Sequence, residues 1–276
     1  MHERIAGCRI CGNSNLVRIL DLGQLALSGG FPLPGEPDPM SGPLELWVCA
    51  GGKADPCCGL LQLSCDYPPS ELYGPGYEFR SALSQTRVRH LSAIAEEGIA
   101  LAQPRIADAV LDIGCNDGTL LKSFQGLGLD CVGIDPTGAR FASRLPADIH
   151  LIEDYFSAER VRRDCGNLKF AVITSIDLFS HLPKPMAFMR QVRELLAPQG
   201  IWITEQAYAL GMIENLAFDT ICHEQPCYFN LRQLQWLAHR VGLKLVDVSV
   251  NDSGGASFRV ALARDDSAYL PRRARI

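Results

Sequence analysis

AVLDIGCNDGTLL, residues 109–121, is an apolar run that breaks on glycine and acidic residues and then resumes with leucines. Such a run, bounded by turn residues, reads as a buried strand feeding a helix, so Asp112, Gly114, Asn116 and Gly118 fall on the strand-to-helix turn. In an open α/β sheet, ligands bind beyond the carboxyl ends of the strands, where glycines admit the backbone and the next helix offers free N–H groups. Gly114 and Gly118 do not make the G-x-G-x-x-G spacing of a dinucleotide site. An acidic residue two positions before the first glycine suits a ligand with an amino-acid ammonium, as S-adenosylmethionine (SAM) has. Asp135, in GIDP, closes the next strand candidate, where a carboxylate can accept hydrogen bonds from both ribose hydroxyls. Asp154, closing the third, is a candidate for the adenine edge. These six residues form the expected cofactor site.

Outward from this turn, apolar β-rich runs alternate with helical stretches: AVLDIG (109–114), CVGID (131–135), HLIED (150–154), FAVITSI (170–176) and GIWITEQ (200–206). That alternation predicts a parallel sheet with helices on both faces. LKLVDVSV (243–250) and SFRVALAR (257–264) are separated only by NDSGGA, which fits an antiparallel hairpin rather than a crossover. The expected fold is therefore α/β, a seven-stranded, Rossmann-like class I methyltransferase sheet within a SAM-binding domain over residues 104–276. Upstream, Leu83, Val88, Leu91, Ile94 and Ile99 recur at roughly helical spacing and predict a helical linker over 70–103.

Residues 1–69 have a different character. GGFPLPGEPDPMSGP (29–43) packs Pro and Gly too densely for a long helix or strand, and such a segment needs a staple. Cys8 and Cys11 form a Cys-x2-Cys knuckle followed by glycine, and Cys49, Cys57 and Cys58 cluster downstream. Four thiolates satisfy zinc, whose binding supplies folding free energy. The expected ligands are Cys8, Cys11, Cys49 and Cys58, since Cys58 precedes glycine as Cys11 does; Cys57 is the alternative. With every position taken by protein, Zn2+ would be structural. Cys115, Cys131 and Cys165 read as packing residues.

The 276 residues carry 26 Lys and Arg against 31 Asp and Glu, a formal charge of -5, so no basic face marks a nucleic-acid partner. The sequence opens on no signal peptide and holds no apolar run long enough to span a bilayer, so a cytoplasmic protein without membrane partners is expected. An odd count of eleven cysteines without a secretory leader argues against a disulfide framework.

In order and spacing, CRICG, CCGLLQL, YGPGYEFRS, DIGCNDGTLL, SHLPKP, ITEQAY, HEQPCYF and SGGASFRV resemble the sugar C-methyltransferases of deoxysugar biosynthesis, over nearly the whole chain. The resemblance implies a zinc-binding N-terminal domain joined to a SAM-binding domain. It also implies a nucleotide-linked keto-sugar, deprotonated beside its carbonyl to an enolate that takes the methyl group, and a place near that substrate for Tyr77. Two departures stand out. The family's Tyr-His-Glu-His-x-x-Tyr-Phe becomes Cys222-His223-Glu224-Gln225-Pro226-Cys227-Tyr228-Phe229, and Gln225 can orient an oxygen but cannot remove a proton. The family also continues into a further C-terminal α/β domain, whereas this sequence stops soon after the last strand candidate. The expected acceptor is a nucleotide-sugar or a natural-product intermediate, with an acceptor smaller than a nucleotide-sugar, or one presented by a partner protein, as the alternative these departures open.

His181, in SIDLFSHLPKP after the fourth strand, is the first candidate for general base, because an imidazole with a pKa near ~6.5 takes a proton at neutral pH without large tuning. His223 and Glu224 match the surviving half of the family motif, as an acid/base pair or an acceptor contact. The Tyr77 phenol can donate to a developing oxyanion, and Glu205 and Tyr208 are candidates for the acceptor pocket. The expected function is SAM-dependent methylation of a small molecule, at a carbon α to the carbonyl of a deoxysugar or secondary metabolite. O- or N-methylation in natural-product biosynthesis, or a SAM-fold protein without transfer, are the alternatives.

Overall fold

A computed structural model of the chain describes residues 2–29, 32–51, 57–74, 77 and 79–272. Pro75, Gly76 and Glu78 of the YGPGYEFRS motif therefore lie outside the described residues. The N-terminal part holds β1 (Glu3–Arg4), β2 (Leu16–Ala26), β3 (Ser41–Cys49), β4 (Leu61–Leu63), β5 (Cys65–Asp66) and a short helix, α1 (Pro69–Leu72). β3 begins inside the Pro-rich stretch, with Pro43 opposite Gln24 beside an irregularity in the ladder, where a missing N–H is tolerated.

The next helix, α2 (Gln85–Ala102), starts at Ser84, whose hydroxyl accepts from the Arg87 N–H. Leu83 lies before this cap, in a 3-10 turn, and is 72% exposed, so it is not part of the apolar face that its spacing suggested. That face is carried by Leu91, Ile94, Ala95, Gly98 and Leu101, packed into one core with Val110, Val172, Ile201 and Ile203 of the central sheet. Gly98 permits the close approach, since a Cβ there would lie 3.1 Å from the Val172 side chain.

The central sheet contains β6 (Ala109–Ile113), β7 (Asp130–Ile134), β8 (Ile149–Ile152), β9 (Phe170–Ile176) and β10 (Leu196–Ala207), interleaved with α3 (Ala158–Cys165) and α4 (Pro185–Leu195). After α5 (Ala209–Glu214), the two-residue β11 (Cys227–Tyr228) and α6 (Leu231–Arg240), the sheet is completed by β12 (Leu243–Asn251) and β13 (Ser257–Arg264). Its order is β12-β13-β10-β9-β6-β7-β8. β6 to β10 pair in parallel, and β13 runs antiparallel between β10 and β12, the hairpin expected from its Gly-rich loop. All seven strand candidates form. β8 stops at Ile152, so Asp154 falls in the turn beyond it rather than at the strand end.

β11 joins the other sheet. It pairs with β4 and gives the order β11-β4-β3-β2. Leu63 N–H donates to Pro226 C=O at 3.0 Å, and Gln233 Nε2 on α6 donates to Cys58 C=O at 2.8 Å. Cys8, Ile10, Cys49, Cys58 and Leu60 share a core with Phe179, Phe229 and Leu234. The N-terminal module is thus built onto the catalytic half, which supplies one of its strands.

Candidate active site and metal centre

Three strand ends open a cavity of about 590 Å3. Gly114 and Asn116 follow β6, Asp135 and Thr137 follow β7, and Asp177 and His181 follow β9; Tyr73, Tyr77 and Phe79 cover it from the segment after α1. Gly114 has φ 76°, a left-handed conformation that glycine adopts without strain. Asn116 enters the same region at φ 48°, which its short amide tolerates. Its side chain ties down the cover, with Oδ1 accepting from Ser81 N–H at 3.1 Å and Nδ2 donating to Phe79 C=O at 2.9 Å. Its own N–H donates to Asp135 Oδ2 at 2.9 Å, while Asp135 Oδ1 accepts from the Thr137 N–H at 2.7 Å and hydroxyl at 2.6 Å. These bonds fix the carboxylate in the wall, with capacity left toward ligand hydroxyls, since a carboxylate offers about four lone-pair sites.

A second cleft of about 420 Å3 adjoins the first, and Phe79, Arg87, Asp177 and His181 line both. Arg80, Ser180, Thr220 and Gln225 line only the second. The Tyr73 hydroxyl hydrogen-bonds His181 Nδ1 at 3.1 Å, with the two rings inclined by only 15°. Burial lowers the His181 imidazole to about 4, so it is neutral near pH 7. Burial pushes the Tyr73 and Tyr77 phenols above their ordinary range, which keeps both protonated. Asp177, at φ 52°, is ion-paired with Arg87 at 2.7 Å; burial still raises its carboxyl against that cation. Tyr73, Arg87 and Asp177 were not singled out in the sequence. Only Asp177 left a signal, as the acidic residue directly after FAVITSI, placed as Asp135 is after β7.

Several expected site residues lie elsewhere. Asp112, Gly118 and Asp154 do not line the first cavity. Asp112 is buried within β6, where its Oδ1 accepts from the Thr174 hydroxyl at 2.6 Å and burial pushes its carboxyl up to about 7. Gly118 is a turn and packing position, since a Cβ would meet the Leu145 side chain at 2.0 Å. Asp154 pairs with Arg160 at 3.0 Å, and it is the next two residues, Tyr155 and Phe156, that line the cavity. His223 turns into the N-terminal module, donating from Nε2 to Gly42 C=O at 3.3 Å and meeting the Tyr67 ring edge-on at 5.0 Å. Glu224 does reach the first cavity, with its carboxyl raised by burial. Glu205 faces the α2 layer, where it pairs with His90 and accepts from Arg259 at 2.8 Å and Asn251 at 3.0 Å. Side chains alternate along a strand, which sends Glu205 to the face opposite Gln206. Tyr208 packs on Phe258, 5.3 Å between ring centres, and lines neither cavity.

The Sγ atoms of Cys8, Cys11, Cys49 and Cys58 lie within 4.8 Å of one another. Cys8 and Cys58 are 3.4 Å apart and Cys11 and Cys49 3.5 Å. Thiolates ~2.3 Å from a common Zn2+ in a tetrahedron stand about 3.8 Å apart, so this quartet fits the ion. Gly12 and Gly59, each following a quartet cysteine, have φ 75° and 68°. Beside the first of these turns Gly12 N–H donates to Cys8 C=O and Cys8 N–H to Asn13 C=O, each at 2.9 Å, and beside the second Cys49 N–H donates to Leu60 C=O at 2.9 Å. Cys57 is outside the quartet.

The sequence model of the methyltransferase domain matches residues 79–248, more than half of the chain. The chain belongs to that family. A zinc-binding domain model matches residues 8–73 of this methyltransferase, a span that holds all four quartet cysteines. The C-methyltransferase NovU of Streptomyces niveus is 28% identical over 261 residues, a match that covers 93% of this chain and 60% of NovU, so the chain spans about three-fifths of that relative's length. A ubiquinone biosynthesis O-methyltransferase of Rhodopseudomonas palustris (strain TIE-1) is 32% identical over 96 residues, covering 34% of this chain and 38% of that protein. Among solved structures, the plantazolicin methyltransferase BpumL, in complex with a triazolic desmethylPZN analog and SAH, superposes with a TM-score of 0.52 at 13% identity, over 67% of this chain and 88% of that one. The expected class I methyltransferase fold is the fold observed. Among the described residues no helix is long and apolar enough to cross a membrane.

For a methyltransferase of this fold, Asp135 gives a direct test of the donor cavity. Asp135→Ala removes the acceptor of three hydrogen bonds and strands the donors of Asn116 and Thr137. SAM binding measured by calorimetry is expected to weaken roughly 100-fold, about 3 kcal/mol, with the circular dichroism spectrum retained. Affinity close to that of the parent protein would reduce Asp135 to a turn brace.

Proposed function

We propose that this methyltransferase moves the methyl group of SAM to a carbon α to a carbonyl, in a deoxysugar or another small intermediate of natural-product biosynthesis. The observation that carries the reading is the position of His181, which lines both the donor cavity and the adjoining cleft. Gly114, Asn116, Asp135 and Thr137 would hold the donor, in a cavity of the size usual for small-molecule sites, roughly 300–1,000 Å3. When bound, SAM supplies a methyl group on a positively charged sulfur, so the protein's task is to generate a carbon nucleophile and aim it.

His181 accepts the α proton at Nε2 in the tautomer whose Nδ1–H donates to the Tyr73 hydroxyl oxygen. That hydrogen bond and the near-parallel Tyr73 ring hold the imidazole in one orientation. Asp177 lines the same junction with its charge already met by Arg87. Tyr77, a neutral phenol on the donor-cavity side, can donate toward developing negative charge. The cysteine quartet would hold Zn2+ with no open coordination position, so the ion's part is to shape the module and not to react. The name of NovU, a C-methyltransferase similar over nearly all of this chain, supports carbon as the site of transfer.

The test is a transfer assay with methyl-labelled SAM against keto-sugar nucleotides and small carbonyl, hydroxyl and amine acceptors. Label on carbon, together with SAM-independent deuterium wash-in at that carbon, is the expected result. Label on oxygen or nitrogen without wash-in would replace C-methylation with heteroatom methylation.

A further inference from the structure

Gln225 stands in the acceptor cleft with an unsatisfied donor. The residue is 7% exposed, it lines the cleft beside His181, and its Nε2 is buried without a hydrogen-bond partner among the described residues. A buried amide without a partner costs stability, so an orphan donor in a cleft wall marks a place that a ligand completes. The backbone that carries it is well satisfied. Gln225 N–H donates to Cys222 C=O at 3.1 Å, and Cys222 N–H donates to the Tyr228 hydroxyl at 3.2 Å. Tyr228 lies in β11, so the amide is mounted on the strand that joins the two halves of the molecule.

We infer that Gln225 is a catalytic residue whose Nε2–H donates to the carbonyl oxygen of the acceptor, a ketone or aldehyde that turns its oxygen to Gln225 and its α-carbon to His181. The inference rests on the enolate chemistry proposed above. An amide cannot take the proton, so the labour divides between His181, which removes it, and Gln225, which holds the oxygen. As the α C–H bond breaks, its proton passes to His181, its electron pair becomes the new C=C bond, and the carbonyl π pair settles on the oxygen facing Gln225. A donor already in place there stabilises charge that exists only after proton removal. The C=C pair then forms the bond to the methyl carbon as the carbonyl re-forms, and the S–CH3 bond breaks with its pair left on sulfur. His181 releases its proton to solvent.

Gln225→Met keeps length and shape and removes the donor. The ligand-free variant is expected to melt about 2–4 °C above the parent, because an unpaired buried amide is gone. With the carbonyl acceptor that the parent turns over fastest, SAM-free deuterium wash-in at the α-carbon is expected to slow about 10²–10³-fold. Affinity for SAM in calorimetry is expected to hold, and Gln225→Asn, which keeps an amide donor and cannot act as a base, to retain more of the wash-in than Gln225→Met. A Gln225→Met melt below that of the parent, or wash-in within about threefold of it, the scale of one neutral hydrogen bond's loss at a surface, overturns the inference. A parent protein that binds SAM and methylates only hydroxyls or amines, with no wash-in on any carbonyl compound, overturns the enolate reading and this inference with it. The two failures are distinct, since one appears only in the variant and the other in the parent.

Discussion

His181→Ala is expected to lower methyl transfer about 10²–10⁴-fold, the usual worth of a positioned general base, while SAM affinity in calorimetry is retained. The pH profile separates this residue from an ordinary surface histidine. Burial lowers its imidazole to about 4, so the basic form persists as pH falls through the ordinary titration range, and kcat/KM is expected to stay level from pH 8 to pH 6 on account of this group. The same shift appears in stability. Above the ordinary value of 6.5 the ring is neutral in both folded and unfolded chains; as pH falls toward 4 the unfolded chain gains the proton first, and stability is lost. The difference is on the order of 3 kcal/mol. Urea midpoints of the parent and His181→Ala, compared between pH 7.5 and pH 4, are expected to converge on acidification. Parallel curves, or an activity loss centred on the ordinary histidine value, would contradict the buried neutral ring.

Cys49→Ser is expected to strip the metal and unfold the N-terminal module, with loss of transfer activity as a consequence. Structural zinc in small peptides binds with about 10–16 kcal/mol, comparable to a typical domain's whole stability of about 5–15 kcal/mol, so loss of any one quartet ligand should rank among the costliest single changes in this chain. The damage should reach the active site through β11, which pairs with β4, and through Tyr73, which follows α1 and holds His181. Cys57→Ser, outside the quartet, is the matched control and is expected to keep its metal by elemental analysis and to melt with the parent. A chelated parent protein that melts as the untreated one does would remove zinc from the account of stability.

The sheet was legible because strands of a parallel sheet are buried on both faces and appear as continuous aliphatic runs, as FAVITSI does. Gly114 and Asp135 were legible for the same reason, as the residues on which such runs end. The quartet was readable from two Cys-Gly steps, which the structure turns into two left-handed glycines. Other assignments depended on distant partners. His223 sits in a motif, yet its environment is made by Gly42 and Tyr67, far away in the chain. Strand alternation fixes that Glu205 and Gln206 face opposite ways, but only the position of α2 decides which of them meets a charged layer. Asp154 was displaced by a strand that ends two residues early. Leu83 matched a helical period although Ser84 already marked the helix start, a local signal that periodicity overrode. Tyr73 and Arg87 carry no local mark, because each matters only through a residue after β9.

The pairing of β4 with β11 also fixes an order of assembly during synthesis. Ribosomes add roughly 5–20 residues per second, so the four thiols emerge well before positions 227 and 228, which complete their sheet. In that interval β4 presents an open strand edge, a surface prone to wrong pairing. Metal capture can precede sheet closure and hold the growing module in shape, whereas a chain made without metal carries both an open edge and unpaired thiols. Zinc scarcity would therefore deplete the enzyme among nascent chains first, before the mature pool is touched.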